Sequence, residues 1–399
     1  MKQTILISNV TIVNYDQECI GDLFIREGKI EQIGQALQVE ADVYIDGTSK
    51  NWIIMPGFID MHIHGSAGFD MMDATEEALR GISRSLVKEG TTSYLPTTIT
   101  QAVEAIEVAL KNVSTFVNNE DEAEVLGIHV EGPYISTKWA GAQPVEHITE
   151  PSVEQFLNWQ QLSGNRIKQV TVAPEISGGF EFVQVMSKEG IVVSIGHSDA
   201  NSEEVEKAVQ LGAKQATHLY NQMRPFHHRE PGVVGSVLME DRMQVEIIVD
   251  YIHSHTRAVN FAYRLKGAEE IILITDAMRA KGLEYGDYDL GGQTVHVTEK
   301  GAHLSSGALA GSILTMDQAV RNMKLSTNCS LKELVSMSST NAAKQLGLSH
   351  KGYIGEGYDA DLVILDMELN VQKTICRGNI VFENYMKMEV IICSPIGKK

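Results

Sequence analysis

The chain contains very little cysteine, with only four cysteines among its 399 residues. Cys19, Cys329, Cys376 and Cys393 are scattered and show neither the spacing of a zinc ligand set nor that of a redox motif. A disulfide framework is therefore not expected, and a reduced, cytoplasmic setting is the natural inference. Residues 1–7 alternate like a β-strand, so no signal peptide is expected either.

Long apolar runs are also missing, so the sequence predicts no membrane-spanning segment. Positive charge is scarce, because 33 Lys and Arg face 52 Asp and Glu and leave a formal net charge of −19. This balance argues against nucleic acid or a membrane surface as a partner. An anionic substrate would need a local basic pocket.

Several catalytic motifs are absent as well. No Gly-x-Gly-x-x-Gly follows a strand-like segment and no Walker-type Gly-Lys-Ser/Thr occurs, so a nucleotide cofactor is not indicated. No Gly-x-Ser-x-Gly is present, which disfavours a serine hydrolase of that type. The length instead predicts one large domain accompanied by a smaller one.

The most informative motif that is present is a pair of histidines, His62 and His64, at the end of an apolar segment. In an extended strand, residues two apart point to the same side, so both imidazoles can face one point. Imidazole is a ligand that suits zinc, iron, copper and nickel. Taken alone, the pair is better explained as two partly buried histidines that bond to backbone carbonyls.

Similar apolar segments recur downstream, and each is followed by a polar residue of a type that binds metals. Segments 125–131, 191–197, 215–218 and 271–276 end in Glu131, His197, His218 and Asp276. Segments with helical spacing, such as 76–89 and 202–211, lie between them. Alternation of strand and helix predicts a parallel α/β fold, of which the (β/α)8 TIM-type barrel is the expected form. In such a barrel the functional groups lie at the carboxyl ends of the strands.

Both ends of the chain have a different, β-rich character. Around Glu27 and Gly28 the sequence predicts a tight hairpin, and strand-like segments follow after Tyr358. Because chain termini often lie close together, we expect both ends to form one small β-sandwich domain. The predicted boundaries are residues 1–55 plus 359–399 for this domain and 56–358 for the barrel.

The polar strand ends suggest a metal-dependent hydrolase. Glu131, His197 and His218 offer one carboxylate and two imidazoles, and catalytic zinc sites commonly use three protein ligands. His62 and His64 would supply a second ion, with Asp60 and His129 as candidate orienting groups. Asp276 could accept a proton from the attacking water and pass it to the leaving group. Its alternative role is an N-cap of the following segment.

A loop rich in polar and cationic groups follows His218 and is a candidate substrate site. The planar fork of Arg229 suits a phosphate or carboxylate, although an ion pair with Glu230 or another surface acid is an equal alternative. His253 is a second candidate because it also follows a strand-like segment. The small residues around Gly311 would allow the backbone to approach a ligand, or would simply form the turn before the next helix.

These motifs together resemble a known family. Segment 56–65 resembles the amidohydrolase superfamily, and within it the N-acetylglucosamine-6-phosphate deacetylases are similar in segments 129–134, 196–198, 217–221, 229–232, 275–277 and 307–316. By this resemblance, Glu131, His197 and His218 are the main metal ligands and Asp276 is the catalytic acid and base. Arg229 and His253 would hold the sugar phosphate. Sugar contacts are expected from Ala142, Gln143, Asn221, Gln222, Leu309, Ala310 and Gly311.

The resemblance implies hydrolysis of the acetamide of N-acetyl-D-glucosamine 6-phosphate to D-glucosamine 6-phosphate and acetate, in amino-sugar catabolism and cell-wall recycling. It also implies one or two divalent ions per subunit (zinc, iron or manganese) and a homodimer. Some members have Asn at the position of His64, and others have His where this chain has Gln143. We hypothesise that a second ion at His62 and His64 polarises the acetamide carbonyl here.

Two alternatives stay open from the sequence. One is a different amidohydrolase reaction, such as hydrolysis of a cyclic amide or of an acyl-amino acid. The other is a catalytically silent scaffold protein, against which the complete set of ligand-type residues weighs. The native metal, and whether Arg229 serves its own subunit or its neighbour, are not determined by the sequence.

Overall fold

The computed structural model describes residues 3–384. Eight strands from the two ends of the chain are hydrogen-bonded into one sheet. They are Ile5–Val13, Glu18–Arg26, Lys29–Gly34, Val43–Asp46, Ile53–Pro56, Leu362–Leu365, Val371–Cys376 and Asn379–Glu383. Antiparallel pairing of Ile53–Pro56 with Leu362–Leu365 joins the N-terminal strands to the C-terminal ones. The small β domain built from both ends is therefore confirmed, with its strands in one continuous sheet.

A second sheet contains eight parallel strands that form the barrel. In barrel order they are Phe58–Ile63, Thr91–Thr98, Ile128–Glu131, Ile167–Val172, Val192–Ile195, Gln215–Ala216, Gln244–Ile247 and Ile271–Leu273. A short strand, Glu124–Val125, also pairs with the second barrel strand. Backbone hydrogen bonds from Asp276 N to His62 O (2.8 Å) and from His64 N to Ala277 O (2.9 Å) join the last strand to the first. The predicted TIM-type barrel is confirmed.

Helices alternate with the barrel strands and cover the outside of the barrel. They are Glu76–Leu86, Val103–Thr115, Val153–Leu162, Gly179–Lys188, Ser202–Gln210, Gly232–Met239, Thr256–Lys266, Met316–Thr327, Leu331–Val335 and Asn341–Gln345. A π-helical segment, Ser336–Thr340, joins the last two. Helix Glu76–Leu86 shows the underlying pattern: Leu79, Ile82 and Leu86 recur at helical spacing and are buried against the sheet.

Short strands and 3-10 helices lie between the main strands and helices of the barrel. A three-stranded sheet is inserted after the last barrel strand and contains Gly286–Leu290, Gln293–Thr298 and Gly301–Leu304. A two-stranded hairpin, Gly65–Ser66 with Phe69–Asp70, follows the first barrel strand. The 3-10 helices are Met71–Asp73, Val87–Glu89, Thr137–Trp139, Val145–His147 and Ala268–Glu270.

The chain passes from the small sheet into the barrel between two consecutive strands. The strand Ile53–Pro56 lies in the small sheet and Phe58–Ile63 lies in the barrel, although the exact domain boundaries at 55/56 and 358/359 stay a prediction. None of the helices within residues 3–384 is long and apolar enough to span a membrane.

The segment 385–399, which the prediction assigned to the small domain, lies outside the described residues.

Candidate metal centre and active site

Six side chains predicted from the sequence meet at one rim of the barrel. Each lies at or just beyond the carboxyl end of a strand, where the side chain is free of the sheet and can point across the opening. They form two groups with ligand atoms within 4.8 Å of one another, namely His62, His64 and Asp276, and Glu131, His197 and His218. All six are buried.

Glu131 lies at the centre of this cluster. Its Oε1 is 3.1 Å from His218 Nε2 and 3.4 Å from both His197 Nε2 and His62 Nε2. Its Oε2 is 3.3 Å from His64 Nε2. Oε1 therefore faces three of the four histidines and Oε2 faces the fourth, so this carboxylate contacts both groups.

Asp276 completes the second group. Its Oδ1 is 3.4 Å from His62 Nε2 and 3.3 Å from His64 Nε2. The residues that follow Asp276 run into the loop and inserted sheet, so the alternative of a helix N-cap is wrong. Asp276 also lines the cavity above the cluster, which leaves its second oxygen available to a substrate.

The four histidines are oriented by acceptors on the far side of each ring. Nδ1 of His64, His197 and His218 faces the backbone carbonyl of Thr97 (3.2 Å), Trp139 (2.7 Å) and Asn221 (3.1 Å), respectively. Nδ1 of His62 faces the Glu246 carboxylate at 3.1 Å. An acceptor at Nδ1 places the proton there and leaves Nε2 as the electron-pair donor, as in histidines that bind metals. All four Nε2 atoms point to the cluster.

Electrostatics within the cluster are strongly coupled. Burial raises the pKa of Glu131, but His62, His197 and His218 outweigh it and hold that pKa well below its ordinary value. Burial likewise raises the pKa of Asp276, and the imidazoles of His62 and His64 reverse this to a net lowering. Both carboxylates are therefore ionised and able to bind a cation. In return, the carboxylates of Asp276 and Glu131, which accept hydrogen bonds from the His64 ring, overcome the effect of burial and raise the pKa of His64 to about 9.

The backbone at three of these residues adopts the left-handed region. The φ angles are 49° at His197, 32° at His218 and 49° at Asp276. Residues other than glycine adopt such angles at a cost, and they concentrate at functional sites where the surroundings hold them. The strand ends are thus bent so that these side chains turn inward.

A cavity of about 240 Å³ opens directly above the cluster. Seven of the predicted sugar and phosphate contacts line it, namely Ala142, Gln143, Asn221, Gln222, His253, Leu309 and Gly311. Gln143 is fixed by two hydrogen bonds, since Thr100 N donates to its Oε1 (2.7 Å) and its Nε2 donates to Glu131 Oε2 (2.8 Å). His253 Nδ1 is 2.7 Å from the Asp250 carboxylate.

Two predicted contacts do not line the cavity. Ala310 is buried and bonds to the inserted sheet through its N–H, which donates to Ala302 O. Arg229 is exposed on the loop after His218, where its Nη1 donates to His228 Nε2 at 3.0 Å. Within residues 3–384 no ion pair joins Arg229 to Glu230, whose Oε1 accepts from Ser202 N instead.

The predicted orienting groups act in different ways. Asp60 accepts from the Thr275 hydroxyl (2.5 Å) and from His62 N (3.2 Å), and so ties the first barrel strand to the last. His129 packs edge-on against His62, with ring centroids 4.5 Å apart. Burial and the positive charge of His62 hold the pKa of His129 well below its ordinary value, so this imidazole is neutral.

Glu246 is the main residue that the sequence interpretation missed. It lies in the barrel strand Gln244–Ile247, is fully buried, and contacts the ring of His62. A carboxylate among the apolar residues Val245, Ile247 and Ile248 is itself a signal, because an unpaired charge is expensive to bury. The backbone carbonyls that orient the other histidines carry no comparable signal in the sequence.

Comparisons with known proteins agree with this geometry. The model of the Amidohydrolase family matches residues 53–381. The chain is 56% identical to the N-acetylglucosamine-6-phosphate deacetylase of Lysinibacillus sphaericus over 381 residues, which cover 94% of this chain and 97% of that relative.

Solved structures show the same likeness in three dimensions. The N-acetylglucosamine-6-phosphate deacetylase of Thermotoga maritima is 37% identical, with a TM-score of 0.86 over 95% of this chain and all (100%) of that one. A mutant of the Mycobacterium smegmatis N-acetyl-D-glucosamine-6-phosphate deacetylase, solved in complex with N-acetyl-D-glucosamine-6-phosphate, is 26% identical with a TM-score of 0.87, and the match covers 96% of this chain and 100% of that one. The chain described here belongs to the amidohydrolase family and, within that family, to the N-acetylglucosamine-6-phosphate deacetylases.

Proposed function

We propose that the protein hydrolyses the acetamide of N-acetyl-D-glucosamine 6-phosphate to D-glucosamine 6-phosphate and acetate, in amino-sugar catabolism and cell-wall recycling. The main support for this proposal is that the six residues of the cluster lie beside a cavity lined by seven of the expected sugar and phosphate contacts. Full-length similarity to deacetylases supports the same reaction.

The decisive experiment measures acetate release from a panel of N-acetylated amino-sugar phosphates and the corresponding free sugars. We expect rapid release from N-acetyl-D-glucosamine 6-phosphate and much slower release from the sugar that lacks phosphate. The same panel includes a cyclic amide and an acyl-amino acid. Hydrolysis of either of these in preference to the sugar phosphate would overturn the proposed substrate.

The residues of the cluster fit divalent cations. His62 Nε2 is buried and has no hydrogen-bond partner among the described residues, although it points at two carboxylates. With their Nε2 atoms deprotonated, as the binding of a cation requires, the four imidazoles and the two carboxylates form a donor set that suits zinc, iron or manganese. When bound, such an ion acts as a Lewis acid that activates water and polarises a carbonyl.

The protein's own residues supply the remaining steps. Asp276, held ionised by His62 and His64, takes a proton from the attacking water and returns it to the departing amine. Gln143 holds Glu131 in place through its Nε2 and borders the cavity where the acetamide is bound.

We further propose two ions per subunit, one held by Glu131, His197 and His218 and the other by His62 and His64. Elemental analysis of purified protein, with a chelator-treated sample for comparison, gives the number and the identity. Replacement of His64 by Asn is expected to remove one ion and lower the maximal rate. An unchanged metal count and rate in H64N would contradict the two-ion proposal.

Arg229 and His253 are proposed to hold the phosphate, with Arg229 contributed by a second subunit of a homodimer. Its exposure and its absence from the cavity lining support a role across an interface. Exposed apolar side chains lie on the neighbouring helices Gly232–Met239, Thr256–Lys266 and Met316–Thr327, and they include Met239 (76% exposed), Phe261 (55%) and Leu325 (77%).

A mixing experiment tests the shared site. Sedimentation first establishes the oligomeric state of the wild-type protein, which we expect to be a dimer. The inactive variants R229A and D276N are then unfolded together and refolded. If Arg229 serves the partner's cavity, mixed dimers regain activity because one cavity has both groups. Absence of any recovery in confirmed mixed dimers would place Arg229 in the site of its own chain.

A cytoplasmic location is also proposed. Cys19, Cys329 and Cys376 are all free thiols, and two of them are buried. Buried free thiols suit a reducing compartment. Cell fractionation tests the proposal, and recovery with secreted or membrane material would contradict it.

A further inference from the structure

Glu246 is a fully buried carboxylate inside the barrel, below the metal cluster. It lies on the strand Gln244–Ile247 and does not line the substrate cavity. Nothing in the proposed reaction uses this group. A charge in that position therefore needs a separate explanation.

The two oxygens of Glu246 have different partners. Oε1 accepts hydrogen bonds from Gln169 Nε2 (2.7 Å) and Gln215 Nε2 (2.6 Å). Oε2 lies 3.1 Å from His62 Nδ1 and accepts from His218 N at 3.3 Å. The two glutamine amides fix one oxygen, and this fixation aims the other oxygen at the back of the His62 ring.

His62 is distinguished from the other three ligand histidines by this contact. The Nδ1 atoms of His64, His197 and His218 all face neutral backbone carbonyls. Only His62, among the ligand histidines, has a carboxylate at Nδ1. A carboxylate there fixes the tautomer and increases the basicity of the opposite nitrogen, so it strengthens the bond from His62 Nε2 to a cation.

The negative charge of Glu246 also affects how readily a second cation binds. Within residues 3–384 its ion-pair partner is His62 alone, and burying an ionised carboxylate without a cation is costly. If the histidines are neutral, the net charge of this region, which includes the carboxylates of Glu131, Asp276 and Glu246, is −1 with one divalent ion and +1 with two. Without Glu246, the net charge with two ions would be +2. Glu246 thus makes occupation of the second position less unfavourable.

We propose that Glu246 is a positioning residue that secures the second divalent ion, the one held by His62 and His64. It acts through His62, by fixing the direction of Nε2 and by balancing charge, and it touches neither ion nor substrate. The proposal rests on the metal-dependent function described above. Its main readout is ion binding, which requires no turnover.

The test uses the full chain, stripped of metal by a chelator and titrated with Co²⁺ while the visible spectrum and bound cobalt are measured. We expect wild-type protein to bind two ions per subunit. In E246Q, which keeps the shape of the side chain, we expect the affinity for one ion to fall about 10–100-fold and the other to stay unchanged. With substrate, kcat should fall while KM changes little.

A matched control removes a different buried carboxylate. Glu89 is buried and paired with Lys281 Nζ at 2.8 Å, and it contacts none of the ligand residues. E89Q should lower stability yet bind two cobalt ions with wild-type affinities. A loss of the second ion in E89Q as well would show that any buried carboxylate has this effect, and it would overturn the specific role of Glu246.

A second variant keeps the proposal testable if E246Q does not fold. Gln215→Leu removes one donor to Oε1 and retains the charge of Glu246, and we expect a smaller but selective weakening of the second ion. Wild-type affinity for both ions in a folded E246Q, or in Q215L where E246Q is unfolded, would overturn the proposal. Wild-type protein that binds two cobalt ions but releases no acetate would refute the substrate instead, and would leave the role of Glu246 standing.

Discussion

At the scale of single residues, the active site depends on atoms behind the ligands as much as on the ligands themselves. Each histidine of the cluster points Nε2 at the cluster because Nδ1 is held by an acceptor, and three of the four acceptors are backbone carbonyls. The ligands are therefore preorganised before any ion arrives. Preorganisation lowers the cost of binding and of charge development during the reaction.

Asp276→Asn should abolish most of the activity. The amide cannot carry the proton from water to the amine, and loss of such a carrier costs about 10²–10⁴-fold in kcat. Acetate release under saturating substrate measures the effect, and cobalt titration of the same variant shows whether the ions are retained. Turnover close to that of the wild type would refute the role of Asp276.

Asp199→Asn should lower the free energy of unfolding at pH 7. Asp199 accepts from Arg224 Nη2 (2.9 Å), Trp139 Nε1 (2.8 Å) and Lys138 Nζ (3.0 Å), and Trp139 O in turn orients His197. Loss of these charge-assisted bonds should cost about 1–3 kcal/mol. Urea unfolding of wild type and variant gives the difference.

The pH dependence of this difference has a definite sign. Hydrogen bonds from Arg224, Trp139 and Lys138 hold the pKa of Asp199 well below its ordinary value of 3.8. The stabilisation is therefore complete above pH 3.8 and is lost as pH falls toward the lower folded-state pKa. The exposed Asp241 provides the control, since D241N should change little. A gap between wild type and D199N that widens in acid would contradict this assignment.

The sequence predicted the six residues that meet in the cluster because each lies at the end of an apolar segment, a pattern that is visible in the sequence alone. The orienting atoms could not be found in the same way. The carbonyls of Thr97, Trp139 and Asn221 belong to the backbone, which every residue has, so only the fold assigns them a role. Glu246 could have been noticed, but its partner lies on a distant strand.

At the scale of elements, the hairpin that follows His64 is locked onto the first helix of the barrel. The helix Glu76–Leu86 carries Gly81 where Phe69 of the hairpin packs against it. A Cβ atom at residue 81 would lie 2.2 Å from Phe69 Cδ2, well inside contact distance. The position therefore requires glycine for space, although glycine weakens a helix.

Gly81→Ala should destabilise the protein. Helix propensity alone favours alanine by about 1 kcal/mol, whereas forcing apart a packed contact costs about 1–3 kcal/mol. Thermal or urea unfolding measures the balance. Since the hairpin follows His64 directly, we also expect weaker binding of the second ion.

A double-mutant cycle separates the two contributions. In a background with Phe69→Ala, the ring that clashes is absent, so Gly81→Ala should become neutral or stabilising. Equal effects of G81A in both backgrounds would show that the clash is relieved at no cost, and would remove the argument for a locked hairpin.

Strands and helices of the barrel were largely predictable, because period-two and helical patterns alternate along the chain. The inserted sheet from Gly286 to Leu304 was missed, although Gly291 and Gly292 between two alternating segments are a hairpin signal. The barrel strand Gln215–Ala216 has two residues, too few for any pattern, and it was located only through His218.

At the scale of the whole molecule, the bound ions should contribute to stability. The cluster joins residues from five different barrel strands and the residues beyond them, so an ion that binds it binds only the folded state. Treatment with a chelator should lower the melting temperature, and re-addition of the native ion should restore it. An ion at 100 times its dissociation constant stabilises by about 2.7 kcal/mol.

The control for this prediction is the same chelator saturated with metal beforehand, which should leave the melting temperature unchanged. H197N, which lacks a ligand of the first group, should respond less to chelation than the wild type. Equal melting temperatures with and without ions would mean that the ions bind folded and unfolded chains alike, contrary to the preformed geometry.

Some properties of the whole molecule lay beyond the sequence. That both termini share one sheet was predictable from their common β character, but the pairing of Ile53–Pro56 with Leu362–Leu365 was not. If Arg229 serves the cavity of a second subunit, as proposed, its role depends on a second chain, which a sequence pattern alone does not reveal.

The seam that closes the barrel joins Asp276 N to His62 O, and it has a consequence for assembly. Glu131, His197 and His218 lie earlier in the chain, whereas the other group needs both the first strand and the last. If two ions bind as proposed, the ion held by Glu131, His197 and His218 needs no residue from the last barrel strand, whereas the group of His62, His64 and Asp276 is complete only once that strand has been synthesised. The second site would therefore form only when the barrel closes.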